Sequence, residues 1–259
     1  MTAPAFAVTR SAGVATVTID RPPVNAFAAD TYLQLTDVLA SLAAADDVKV
    51  VVLSAADGAR AWCGGADVND FVGMNGDRRR DRYTIVNDAM RLLQSFPRPT
   101  IAALSAPAVG IGVLLAAACD LRIASASATF ACPEIDYGLV AGSAKLLSDL
   151  GVPESLVREM GFTGRRVSAQ RMMAAGFLND LVEPAALGGT VARLAQTIAG
   201  KSLPALIARK QAYVEHEGMG WFDAYRLAQG LSATLVESAD SQEGVSAFIE
   251  GRSVRILDR

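Results

Sequence analysis

Apolar and polar positions alternate along the first half of the chain in short runs. Phe6 to Val8 and Val14 to Asp20 alternate apolar with small polar residues and predict two strands joined by a turn at Gly13. Arg21-Pro22-Pro23 ends the second strand. A helix opens at Asp30, with Leu33, Leu35, Val38, Leu39 and Leu42 on one face. The valine run of Lys49 to Ala55 predicts a strand buried on both faces. The spacing then predicts a helix over Asp81 to Phe96, a strand over Thr100 to Leu104, a helix from about Ile111 to Ala118 and a strand over Cys119 to Ala124, with a short one at Thr129 to Ala131. Beyond Asp136 the pattern turns helical, over 142–150, 153–161, 168–175, 185–199, 203–216, 221–238 and 241–250. Alternating strands and helices followed by helices alone imply an α/β core and a helical appendage.

Two stretches interrupt this rhythm with glycine. In the first, Lys49 to Ala55 leads into ARAWCGGADVND, residues 59–70. Gly64 and Gly65 let the backbone bend and approach a ligand, and Asp67 suits the N-cap of a short helix beginning near Val68. Free N–H groups at such a start bind an oxygen that carries negative charge. In the second, Ser105 to Asp120, a strand again delivers the chain to a glycine turn and a helix at once, with N–H groups near Ile111 pointing outward. Each stretch also reads as a plain strand-to-helix connection. The dinucleotide-binding pattern fails, because Gly110-x-Gly112 lacks the third small residue three positions on.

Composition narrows the classes. The 259 residues are 51% hydrophobic, enough for one large core. A net charge of −3 argues against general nucleic-acid binding. The run Arg78-Arg79-Arg80 lies between Asp77 and Asp81 and reads as a solvated loop or helix start, the alternative being a local phosphate site. The N-terminus has no signal-peptide pattern, and the longest apolar run, Ala106 to Cys119, is too short to span a bilayer. No membrane contact is expected. Cys63, Cys119 and Cys132 have no metal-ligand spacing, so reduced thiols in a cytoplasmic protein and no metal are expected. The single histidine, His216, stands in a polar Glu-His-Glu-Gly context near a helix end, which leaves little room for Ser-His or histidine–metal mechanisms. The apolar faces of the last helices, Leu203, Leu206, Ile207 and Val214, then Phe222, Tyr225, Leu231 and Leu235, suit either core or a subunit interface.

In order along the chain, RPPVNAF (21–27), WCGGADV (62–68), SAPAVGIGVLLAAACD (105–120), Pro133-Glu134 and FTGRRVSAQRMMAAGFLNDLVEP (162–184) are similar to successive elements of the enoyl-CoA hydratase/isomerase (crotonase) superfamily. The resemblance covers nearly the whole chain. It implies an α/β crotonase-like (ClpP/crotonase) spiral of ββα repeats over residues 1–195 and a helical trimerisation region over 196–259. It implies an acyl-CoA thioester as ligand, no cofactor beyond the coenzyme A of the substrate, and a homotrimer or dimer of trimers. Carried over by position, the backbone N–H groups of Ala66 and Ile111 are the expected oxyanion-hole donors, with Ile111 where the family usually has glycine. Val24, Ala26, Gly64, Gly65, Asp67 and Val68 fall where the family lines its CoA pocket.

One departure bears on the reaction. The family's hydratases carry two glutamates; here the first position is Leu114 and the second is Glu134. Paired carboxylates suit hydration, whereas a single one suits proton transfer from C2 to C4 of an enoyl thioester. The expected activity is therefore Δ3,Δ2-enoyl-CoA isomerisation through Glu134. The alternatives are a hydratase in which Asp136 or a bound water replaces the missing acid, other thioester-enolate chemistry, and a non-catalytic acyl-CoA binder. The segment GLVAGSAKLL (138–147) lacks the proline, two glycines and Thr-x-Arg of the corresponding family element, so the site wall is reshaped there.

Overall fold

The computed structural model describes residues 3–258. Among these residues nine strands, β1 Phe6–Ser11, β2 Val14–Ile19, β3 Val50–Ala55, β4 Thr100–Leu104, β5 Ala108–Val109, β6 Leu121–Ser125, β7 Thr129–Ala131, β8 Val167–Ser168 and β9 Asp180–Val182, alternate with helices. The helices are α1 Ala29–Ala43, α2 Gly76–Gln94, α3 Ile111–Ala118, α4 Ala144–Asp149, α5 Glu154–Thr163, α6 Ala169–Ala174, α7 Leu187–Ala199, α8 Leu203–Glu215, α9 Trp221–Leu235 and α10 Ala239–Glu250. The main sheet has the order β1-β2-β3-β4-β6-β9, with an antiparallel β1–β2 hairpin and parallel pairs from β2 onward.

The valines of β3 explain the layering. Val51 and Leu53 point to the larger core, shared with Tyr32, Leu35 and Leu39 of α1 and Leu93 of α2. Val50 and Val52 point to the opposite face, where Leu187, Val191, Ala195 and Ala199 of α7 cover them. Period-two alternation with both faces buried is what a central parallel strand requires.

A second, narrower ribbon stands beside the sheet. Its regular part is β5-β7-β8, and the isolated parallel bridges Cys63↔Ala108 and Phe27↔Ala66 extend it by two further segments. Three successive passes of the chain thus give one strand to the sheet, one segment to the ribbon and one helix to the outside: β2, Phe27 and α1, then β3, Cys63 to Ala66 and α2, then β4, β5 and α3. This is the expected ββα spiral, and the ribbon brings sequence-distant turns side by side.

Several elements differ from the sequence pattern, among them β5, which lies in a stretch that reads as a turn. Helix α2 begins at Gly76 rather than Asp81, because Asn75 Oδ1 accepts the Arg78 N–H and caps it. Strands β8 and β9, two and three residues long, lie in stretches that read as helical or gave no strand signal. The division expected at 195/196 falls inside α7, whose Ala195 and Ala199 are buried against the sheet; the change of character follows Gly200. Lys210 on α8 is buried on Asp120 at 2.6 Å, and Asp120 also accepts from the Thr100 N–H and hydroxyl. Helix α9 buries none of its residues, and Trp221 is 78% and Phe248 of α10 88% exposed. Among the described residues no helix is long and apolar enough to cross a membrane.

Candidate active site

The first glycine turn is held almost wholly by backbone. Trp62 and Cys63 are buried and donate their N–H groups to the Pro107 carbonyl at 2.9 and 3.3 Å. Gly64 donates to the Val24 carbonyl at 2.8 Å, and a Cβ at position 64 would lie 2.6 Å from that oxygen. Only glycine fits there. Phe27 then pairs with both neighbours of Ala66, donating to Gly65 O at 2.8 Å and accepting from Asp67 N at 3.0 Å. Strand alternation turns the Ala66 N–H to the opposite edge, where no backbone acceptor among the described residues meets it.

Asp67 closes this turn. Its Oδ1 accepts from the Asn69 N–H and Nδ2, capping the 3₁₀ helix Val68–Phe71 as expected, and its Oδ2 accepts from Arg21 at 2.7 Å. Burial alone would raise the Asp67 pKa, but the bonds from Arg21 and Asn69 outweigh it and hold the carboxyl below its usual range. Arg21 also donates to the Ala26 carbonyl at 2.8 Å. Val24 and Ala26 therefore form a rim facing residues 64–68, with Val68 exposed beside it. Asp67, placed by resemblance among ligand-binding residues, has both oxygens committed to the chain itself.

The second turn leans on the first. Gly110 donates to Ala131 O at 2.8 Å and takes φ 54°, ψ −115°, a conformation that disfavours a side chain. Gly112 packs so closely that a Cβ there would meet Cys63 O at 2.6 Å. Ile111 is the first residue of α3, so its N–H has no intrahelical partner. The Cβ position of Gly110 lies 3.9 Å from Gly65 Cα, so the turns that carry Ala66 and Ile111 abut.

Glu134 completes the group. It sits in the 3₁₀ turn Pro133–Tyr137, closed by Gly138 at φ 67° and by Leu139 N donating to Glu134 O at 2.9 Å. Its Oε1 lies 2.7 Å from the Cβ position of Gly110, so the carboxylate rests directly on that glycine. Its Oε2 is buried without a hydrogen-bond partner among the described residues. Burial raises its pKa, against a smaller lowering by its own N–H. Two outward-facing N–H groups and a desolvated carboxylate thus converge, an arrangement able to hold an oxyanion and move a proton beside it.

Leu114, one turn into α3, is half-buried and brings no second acid. Asp136 corrects an expectation. Its Oδ2 lies 2.8 Å from the Cβ position of Gly164, at the C-terminal end of α5, so its side chain is directed to that helix end and not to Glu134. Arg79 stacks 4.7 Å over Phe71 and donates to the Tyr83 hydroxyl, and Arg80 pairs with Asp77, which is the helix-start reading of the arginine run. His216 ends α8 against the Tyr213 ring.

Some structural residues of the site had no chemical signature. Buried Asn25, at φ 53°, donates to Ala61 O and Trp62 O and accepts from Arg21 N. Asn adopts the left-handed region more readily than most side chains, the one clue available. Buried Arg82 joins α2 to Asp70 and to the Phe27 carbonyl. A cavity of about 870 Å³ between the end of α3, α4 and α8 includes none of Glu134, Ala66 or Ile111 in its lining, so chemistry rather than volume singles out the site.

Residues 9–258 match the family model described as enoyl-CoA hydratase/isomerase. The chain belongs to the enoyl-CoA hydratase/isomerase family. A short-chain-enoyl-CoA hydratase of Clostridium acetobutylicum is 30% identical over 244 residues, covering 93% of each chain. A 2,3-dehydroadipyl-CoA hydratase of Escherichia coli is 30% identical over 254 residues, covering 95% of this chain and 96% of that one. The solved enoyl-CoA hydratase of Mycobacterium smegmatis superposes with a TM-score of 0.93 at 29% identity, covering 98% of this chain and 99% of the other. As a member of that family the protein is an acyl-CoA enzyme of the crotonase fold.

Proposed function

We propose that the protein is a Δ3,Δ2-enoyl-CoA isomerase in which Glu134 carries one proton between two carbons. In this reading the thioester oxygen sits between the N–H groups of Ala66 and Ile111. The Glu134 carboxylate removes a proton from C2, and the electron pair flows through the thioester to the oxygen. The Glu134 carboxylic acid then returns the proton at C4, the double bond ends between C2 and C3, and no water is consumed. A preformed donor is worth about 2.7–4 kcal/mol at the transition state where one has been removed from another enzyme. The CoA moiety lies along the main-chain rim of Val24, Ala26, Gly64, Gly65 and Val68, which Asp67 braces.

The observation that carries this reading is the buried, unpartnered Oε2 of Glu134, resting on Gly110 with Leu114 where a second carboxylate would stand. Hydration of a 2-enoyl-CoA is the second reading, favoured by the names of the relatives above. It requires Glu134 both to orient water and to manage the α-proton. Glu134→Gln tests both against a binder without turnover: an enzyme loses activity and keeps its affinity for a CoA ester, whereas a binder has no activity to lose. The exposed apolar faces of α9 and α10 support a homotrimer or a dimer of trimers, which sedimentation equilibrium tests.

A further inference from the structure

Because Glu134 Oε2 has no partner, no bond at that atom holds the carboxylate; its place depends on the backbone turn that carries it. That turn is followed by an exposed loop in which Val140 is 93% exposed and Gly142 has no heavy atom within 4 Å of its Cβ position. The loop is tied behind Glu134 by two buried side chains. Cys132, one residue before Pro133, has its Sγ 3.3 Å from the Ser143 Oγ. Both residues are buried. Ser143 precedes α4 but its hydroxyl makes no cap bond to that helix.

We infer that Cys132 and Ser143 are a positioning pair, closing the loop 133–142 at its base and fixing the Glu134 turn against Gly110. The inference rests on the reading of Glu134 as the proton carrier. Pro133 has a fixed φ, so a shift at Cys132 passes into the turn as a rotation. Ser143 lies within residues 138–147, and its contact with Cys132 joins that segment to the residue before Pro133.

The charged surroundings leave the Glu134 titration to burial. Asp136, on the same turn, faces Gly164. On α5, which packs against the turn, Glu154 pairs with Arg158, and Glu159 pairs with Arg165 and Arg171. Burial pushes the Cys132 thiol up to about 11, so it is a neutral thiol beside the carboxylate.

The test is carbon NMR of protein labelled at the glutamate carboxyl, with the Glu134 signal assigned by its loss in Glu134→Gln. In Cys132→Ala and Ser143→Ala the turn loosens, water reaches the carboxyl, and its titration moves down toward that of an ordinary glutamate. Cys132→Ser keeps a hydrogen-bonding group at that position and restores the native titration. In turnover of an enoyl-CoA, the two alanine variants lose roughly ten-fold in kcat, as misplacement of a reacting group does, with KM little changed and the acid limb shifted the same way. Cys132→Val, which fills the volume without donating, takes the place of Cys132→Ala if that variant does not fold. Unchanged Glu134 titration in folded variants of both positions overturns the inference. A wild-type protein without turnover overturns the functional reading instead, and the NMR titration still decides the pair.

Discussion

The two glycine turns and the Glu134 turn meet at one point but are held there by different means. Around Gly64, Gly65 and Gly110, main-chain bonds to Val24, Phe27, Pro107 and Ala131 fix the backbone, and close packing at Gly64 and Gly112 leaves no space for a Cβ. Around Glu134 the chain is exposed on its outer side, and Oε2 has no bond. Main-chain donors survive changes of side chain, so the N–H at position 111 does not depend on the isoleucine that carries it. A carboxylate held by its turn is sensitive to each residue behind it. In the proposed reaction the first half holds the thioester oxygen, while the second half moves the proton.

The largest effect that separates the halves is on Glu134 itself. Glu134→Gln is expected to lower kcat by about 10²–10⁴-fold, the usual contribution of a general acid–base group, with CoA-ester affinity by calorimetry unchanged. In the wild type, activity rises with pH as the carboxyl ionises, through a midpoint above the ordinary glutamate value because burial raises it. An acid limb at the ordinary value argues against a desolvated base.

Gly110→Ala strikes where the halves touch. A Cβ there lies 2.7 Å from Glu134 Oε1, on a backbone at φ 54°, ψ −115°. The variant should lose about 10²-fold in kcat from displacement of the carboxylate, and about 1–3 kcal/mol of stability from backbone strain, read by urea unfolding. A near-native variant means that the carboxylate does not rest on this glycine.

Asp67→Ala tests the backbone half alone. Losing the charge-assisted bond to Arg21 and the cap of the 3₁₀ helix should cost about 2 kcal/mol by the same unfolding measurement. Because the folded carboxyl titrates below the unfolded one, this contribution is complete above the ordinary carboxylate range. It is lost as pH falls toward the folded value, so the gap between wild type and Asp67→Ala should close in acid.

The smallest effect has the opposite sign. The folded Glu134 titrates above the unfolded value, so the native state binds this proton more readily, and stability falls as pH rises from the ordinary glutamate value through the raised one. Glu134→Gln lacks that loss. Its Tm should exceed that of the wild type at neutral pH and equal it in acid, and a lower Tm at neutral pH would remove the claim of an uncompensated carboxylate.

Much of the backbone half was legible in the sequence, because its devices are local. Strand, paired glycines and the Asp67 cap fall within twenty residues of each other, and the valines of β3 announce a strand buried on both faces. Glu134 stood out by resemblance alone, since a Pro-Glu loop has no local signature of depth. Where Asp136 points was hidden, because that depends on Gly164, distant in sequence, and on how α5 meets the turn. Strands β8 and β9 are too short to show a period, and Asn75 caps α2 ahead of a run so polar that it reads as loop. The Cys132–Ser143 contact joins two unremarkable residues whose only distinction is their place behind Glu134.

Whether one carboxylate moves a proton without water is decided by proton NMR of the wild-type protein in D₂O with a 3-enoyl-CoA and, separately, a 2-enoyl-CoA of several chain lengths. The double bond should migrate from C3 to C2 with no 3-hydroxyacyl-CoA formed. Rapid formation of 3-hydroxyacyl-CoA from the 2-enoyl thioester would contradict it and would mean that hydration proceeds with Leu114 in place of the second acid.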